Sequence, residues 1–176
     1  KLLFSENVDF LTKWDEKENK WDYYHSNQIS SAVNMDINRI LRVDQFLYIC
    51  TMKGLIILDL FDDRINVVNR GFLDIALWDI VNHDQSVFIA TSKGINEFST
   101  SSNDIIKNEM KIINNLNGYE VYDLLIDGNV MYIASEMGVF GVNLENGEGE
   151  MVSSKSFKKI EINKHDLFGL NTNLWS

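Results

Sequence analysis

Apolar residues in this chain fall in short runs separated by polar turns, and three stretches carry the same pattern. Residues 37–58 read INRILRVDQFLYICTMKGLIIL, residues 77–98 read LWDIVNHDQSVFIATSKGINEF, and residues 121–142 read VYDLLIDGNVMYIASEMGVFGV. Seventeen residues separate Ile37 from Gly54, Leu77 from Gly94 and Val121 from Gly138. That glycine recurs after 40 residues (54 to 94) and then 44 (94 to 138). A period of this size, built from short apolar runs, predicts a repeated supersecondary unit.

Each unit resolves into β runs. In the third, VYDLLI leads through the turn DGN to VMYIAS, then through EMG to VFGVNL. Asp-Gly between apolar runs is a hairpin signal, because glycine tolerates the positive φ such turns need. A more polar fourth run closes each unit: INVVN, KNEMKII and GEMVSS. Segment 104–113 fits helical spacing as well, but its place in the repeat predicts a strand. Four antiparallel strands per unit predict an all-β chain, a β-propeller fragment with a period of about 40 residues. The boundaries expected are the second half of a blade over 1–30, blades over 31–73, 74–117 and 118–160, and the start of another over 161–176. Residues 9–24 resemble the last two strands of a unit, and 167–176 a first strand entering a second. An incomplete ring would leave strand edges unpaired. The pattern therefore predicts that further blades of a parent protein, or a second chain, complete it.

The units resemble the two-component-regulator propeller repeat. The positions that carry the likeness read LYICTMKGL at 47–55, VFIATSKGI at 87–95 and MYIASEMGV at 131–139, with an echo of the unit's tail in WDEKENKW at 14–21. Tyr48, Phe88 and Tyr132 stand where that family often has Trp, and Ser135 stands where it has Thr. The resemblance implies a seven-bladed propeller, often in tandem, at the periplasmic or cell-surface side of bacterial hybrid sensor kinases. Related propellers occur in secreted and secretion-associated proteins.

Composition narrows the functions. With 16 Lys and Arg against 26 Asp and Glu, the net charge of −10 argues against a nucleic-acid partner, which needs a basic face. No run reaches the roughly 18 apolar residues of a membrane-spanning helix. The chain starts at Lys1 without a charged-then-apolar leader, so a targeting segment is expected to lie outside it or to have been removed. The single cysteine, Cys50, aligns with Ala90 and Ala134 and is expected to fill a small buried space. His25, His83 and His165 occupy different places in the repeat, without zinc-ligand spacing. The acidic turns at 59–63 and 145–150 lack the spacing of a calcium loop. No metal or cofactor is expected.

Two groups of residues are candidates for binding. Arg39, Asp79 and Asp123 share one position, two residues into the first strand of their units, where a propeller strand lines the central channel. Trp78 is expected to face the channel or rim beside them. Asp79 and Asp123 also have the composition of an acid–base pair. The second group sits on the corners between second and third strands: Lys53, Lys93, Glu136 and Met137. With the connections 25–36, 69–76 and 114–120, these form the rim expected to dock a partner. The leading expectation is a non-enzymatic module that binds a small molecule, glycan or protein, in an extracytoplasmic sensing region. A structural scaffold in a secretion or surface assembly is the alternative, and a propeller lyase or hydrolase using Asp79 and Asp123 comes third.

Overall fold

The computed structural model describes residues 10–25, 36–61, 64–68, 72, 74–101, 104–106, 110–164 and 166–171. The chain divides into two compact units, Lys1–Ala76 and Leu77–Ser176. His165, Trp175, connection residues 26–35 and 69–71, and most of the expected last strand (172–176) lie outside the described residues.

In the first unit, β1 (Phe10–Asp15) and β2 (Lys20–His25) form an antiparallel hairpin. Trp14 and Trp21 are direct cross-strand partners, their rings edge to face at 5.2 Å. Such pairs favour that arrangement because the electropositive ring edge meets the negative face. A four-stranded meander follows, β3 (Ile37–Val43), β4 (Phe46–Thr51), β5 (Gly54–Asp59) and β6 (Arg64–Val68), hydrogen-bonded in chain order. Apart from the half-buried Phe46, β4 and β5 are buried throughout. This explains their near-continuous apolar sequence, since both faces of a central strand must then be apolar. Leu47, Ile49, Ile56 and Leu58 form one core face, with Ile37, Ile40 and Leu60 packed against it.

The second unit repeats the meander twice. The first comprises β7 (Leu77–His83), β8 (Ser86–Thr91), β9 (Gly94–Ser99) and the three-residue β10 (Asp104–Ile106). The second comprises β11 (Val121–Asp127), β12 (Val130–Ser135), β13 (Gly138–Asn143) and β14 (Gly149–Ser153). Phe88, Ala90 and Ile95 of the first sheet pack on Leu124, Met131, Ile133, Phe140 and Val142 of the second, in one core. The opposite face of the second sheet, through Ala134 and Val139, packs on Ile160 and Leu167 of a final hairpin. That hairpin is β15 (Lys159–Asn163) with β16 (Asp166–Leu170). Successive sheets thus stack face to face, as blades do.

One expectation is corrected. The run 104–113 is not one strand: β10 spans Asp104–Ile106, and Lys111–Asn115 forms a one-turn helix, α1. Ile113 and Leu116, three residues apart, are both 1% exposed in the inter-sheet core, so burial of one helical face decides the conformation there. β15 lies in a sheet separate from β14.

Cys50, Ala90 and Ala134 are all 0% exposed, as the shared repeat position predicts. Overpacking would follow from a larger side chain at any of the three.

Candidate functional site

The corners between second and third strands are built alike in all three sheets. Thr51 Oγ1 donates to the Gly54 carbonyl at 2.9 Å and accepts the Lys53 N–H at 3.1 Å. Thr91 repeats this with Gly94 and Lys93 at 2.8 and 3.0 Å, and Ser135 with Gly138 and Met137 at 3.0 and 3.3 Å. A short hydroxyl side chain satisfies its own turn, which is why Ser replaces Thr without loss. The glycines have φ of 143°, 117° and 131°, where a side chain is strained. A Cβ on Gly138 would also run into the Ser153 carbonyl.

These fixed turns hold the predicted rim residues at one end of their sheets. Lys53, Lys93, Glu136 and Met137 are all exposed. The Glu136 N–H donates to the Glu120 carbonyl at 3.0 Å, tying that corner to the connection entering β11. The Gly118 N–H donates to the Lys93 carbonyl at 3.0 Å and ties the preceding corner to the same connection.

Opposite each corner the first strand carries a β-bulge. Pairing jumps from Ile37 to Arg39, from Leu77 to Asp79 and from Val121 to Asp123. Asn38, Trp78 and Tyr122 are therefore the extra residues, at the corner end of their sheets, and each bulge shifts the in–out phase of its strand. Asn38 Nδ2 reaches Met52 Sδ at 3.3 Å across the corner. Trp78 is half-buried, and among the described residues its Nε1 has no hydrogen-bond acceptor. Tyr122 lies beneath Lys158, whose Nζ is 3.1 Å from the ring centroid.

The residues after the bulge are not presented to an open channel. Asp79 and Asp123 are each 2% exposed. Asp79 Oδ2 accepts the Leu124 N–H of β11 at 3.0 Å. Asp123 Oδ2 accepts the Ile160 N–H of β15 at 2.8 Å, and its Oδ1 meets Lys159 Nζ at 2.5 Å. Each carboxylate thus holds the first strand of the following sheet by a hydrogen bond from its backbone. This departs from the channel-lining expectation, since both carboxylates are buried and bonded to the backbone of the next sheet. Arg39, at the same position in the first unit, is exposed.

Sequence reading missed Lys159. It occupies the position in β15 that Asp123 occupies in β11, because Ile160 and Leu124 receive equivalent bonds. The signal was the match of KIEI at 159–162 to DLLI at 123–126. A cavity of about 460 Å³ was also missed. It lies across β12, β13 and β14 of the second unit, lined by Val130, Tyr132, Gly141, Asn143, Glu150 and Val152. None of the rim or bulge residues lines it. Among the described residues no cluster of three or more His, Cys, Asp or Glu could hold a metal ion.

Stacked four-stranded meanders with equivalent corners define a β-propeller fold. Solved structures share it. The extracellular domain of BT4673 from B. thetaiotaomicron, described as a hybrid two component system, matches at a TM-score of 0.69 and 14% identity, over 91% of this chain and 23% of that one. PorZ, a surface component of the type-IX secretion system of Porphyromonas gingivalis, matches at 0.63 and 16% identity, over 93% of this chain and 22% of that one. The computationally designed Ika4 protein matches at 0.57 and 7% identity, over 80% of this chain and 95% of that one. The sequence matches no family model and no curated protein. The resemblance to the two-component-regulator propeller is therefore matched in fold, and the chain spans under a quarter of the length of BT4673 and PorZ. No helix among the described residues is long and apolar enough to cross a membrane.

Proposed function

We propose that this chain is part of a non-enzymatic binding propeller in the extracytoplasmic sensing region of a bacterial signalling receptor. One observation carries the reading: repeated corners hold exposed side chains at fixed positions, lysine in two sheets and Glu136 with Met137 in the third. Lys53, Lys93 and the pair Glu136–Met137 sit on identical turns, which is how a scaffold presents a recognition surface. The fold likeness to extracellular domains of two-component systems supports the sensing role. On this reading the three complete sheets are blades of a larger ring, and the two hairpins belong to its neighbouring blades.

The test is a thermal-shift screen of soluble ligands against the chain and a Lys93→Ala, Glu136→Ala, Met137→Ala variant. A ligand that raises the Tm of the parent chain and not of the variant is the expected result. Ligands that stabilise both equally would remove the rim from the account. A second reading, a scaffold in a surface or secretion assembly, is favoured by the likeness to PorZ. It is distinguished by stable copurification with a protein partner and the absence of any ligand response.

A further inference from the structure

In the second unit the bulge residue and the carboxylate after it act on the same neighbour. Tyr122 receives Lys158 on its ring, while Asp123 takes Lys159 and the Ile160 N–H. Lys158 and the first two residues of the last hairpin are thus gripped by two consecutive residues of β11. One sheet earlier, Asp79 likewise holds the following strand. Trp78 packs against the core cluster that contains Val121 and Leu124, while Asp79 accepts the Leu124 N–H.

We infer that each pair forms one clamp, in which displacement of the bulge residue loosens the carboxylate that holds the next sheet. The physical basis is the bulge. An extra residue leaves the strand locally without a ladder partner, and at position 122 the ring under Lys158 adds a contact to the next hairpin that the ladder does not supply. Asp123 follows it directly, and its carboxylate can keep the Ile160 N–H only while the bulge keeps its shape. A ligand or partner that engaged Tyr122 or drew Lys158 off its ring would thereby alter the packing of successive sheets. The clamp gives a rim event a route into the stack, because interfaces of packed sheets switch between discrete arrangements. Its use in signalling rests on the rim-binding reading above; the clamp itself does not.

Hydrogen exchange of individual amides on the full chain tests it without any ligand. Tyr122→Ala and Lys158→Met should each speed exchange of the Ile160 N–H by about tenfold while leaving the Leu124 N–H within about twofold. Trp78→Ala should do the reverse, exposing Leu124 and sparing Ile160. The Lys93 and Met137 N–H groups, bonded to Thr91 and Ser135, serve as internal references. An Ile160 amide as protected in Tyr122→Ala and Lys158→Met as in the parent chain overturns the clamp. So does a uniform rise at every amide, which reports only global loosening. Lys158→Met leaves the bulge sequence untouched, so it decides alone if Tyr122→Ala does not fold. Loss of the clamp would leave the rim site standing, and failure of rim substitutions to affect binding would leave the clamp standing.

Discussion

The corner and the bulge lie at the same end of each sheet, on either side of its second strand, yet they tolerate change very differently. At the corner, Thr51, Thr91 and Ser135 make the same two bonds, and glycine follows at the same strained φ. At the bulge the backbone register shifts identically in all three sheets, while the residues run Asn38–Arg39, Trp78–Asp79 and Tyr122–Asp123. A turn that closes on its own side chain admits few residues. A bulge is a backbone device, and what it displays is left open to vary. The first therefore reports the fold, and the second reports what each sheet holds.

The largest expected effect comes from the corner. Gly138→Ala forces a Cβ against the Ser153 carbonyl at positive φ and should cost about 3 kcal/mol in denaturant unfolding. Gly128→Ala, at φ 57° with nothing within 4 Å, should cost only about 1 kcal/mol. Equal losses would mean that backbone conformation alone, and not the close approach, sets the corner glycine.

At the bulge, Asp123→Ala leaves the Ile160 N–H without its acceptor and should cost about 2 kcal/mol. Asp123→Asn keeps an oxygen for that N–H and should cost less, which separates the hydrogen bond from the ion pair with Lys159. Ser135→Ala should cost about 1 kcal/mol and Ser135→Thr nothing measurable, since only the hydroxyl matters at the turn.

Tyr48 gives a pH-dependent test confined to the first unit. Burial first, and the Asp44 carboxylate second, push its phenol above the ordinary value of 10.0. The unfolded chain then loses this proton at lower pH than the folded one. Its contribution to stability is complete below pH 10.0 and is lost as pH rises through the raised value. Unfolding midpoints across this alkaline window should fall less steeply in Tyr48→Phe, and parallel slopes would count against the burial argument.

Much of this was legible in the sequence because the repeat states it three times. Strand runs, corner glycines and the small site at Cys50 all follow from aligning the units. Segment 104–113 was not legible, since Ile112 and Ile113 satisfy both strand and helix spacing until the core selects Ile113 with Leu116. Asp79 and Asp123 were found but misread. Alternation along an unbroken strand turns them outward, and no residue type at 38, 78 and 122 announces the bulge that turns them inward. Lys159 was hidden by arithmetic: 44 residues separate Asp79 from Asp123, but only 36 separate Asp123 from Lys159.

The central claim is a division of labour: buried carboxylates hold the sheets, and the exposed corners are free to bind. The most direct measurement is the denaturant unfolding free energy of Asp79→Ala/Asp123→Ala beside that of the Lys93, Glu136 and Met137 triple alanine variant. The double variant should lose more than the roughly 2 kcal/mol of either single change, and the triple variant should stay within about 0.5 kcal/mol of the parent. A stable double variant, or a triple variant that unfolds as easily, would contradict it.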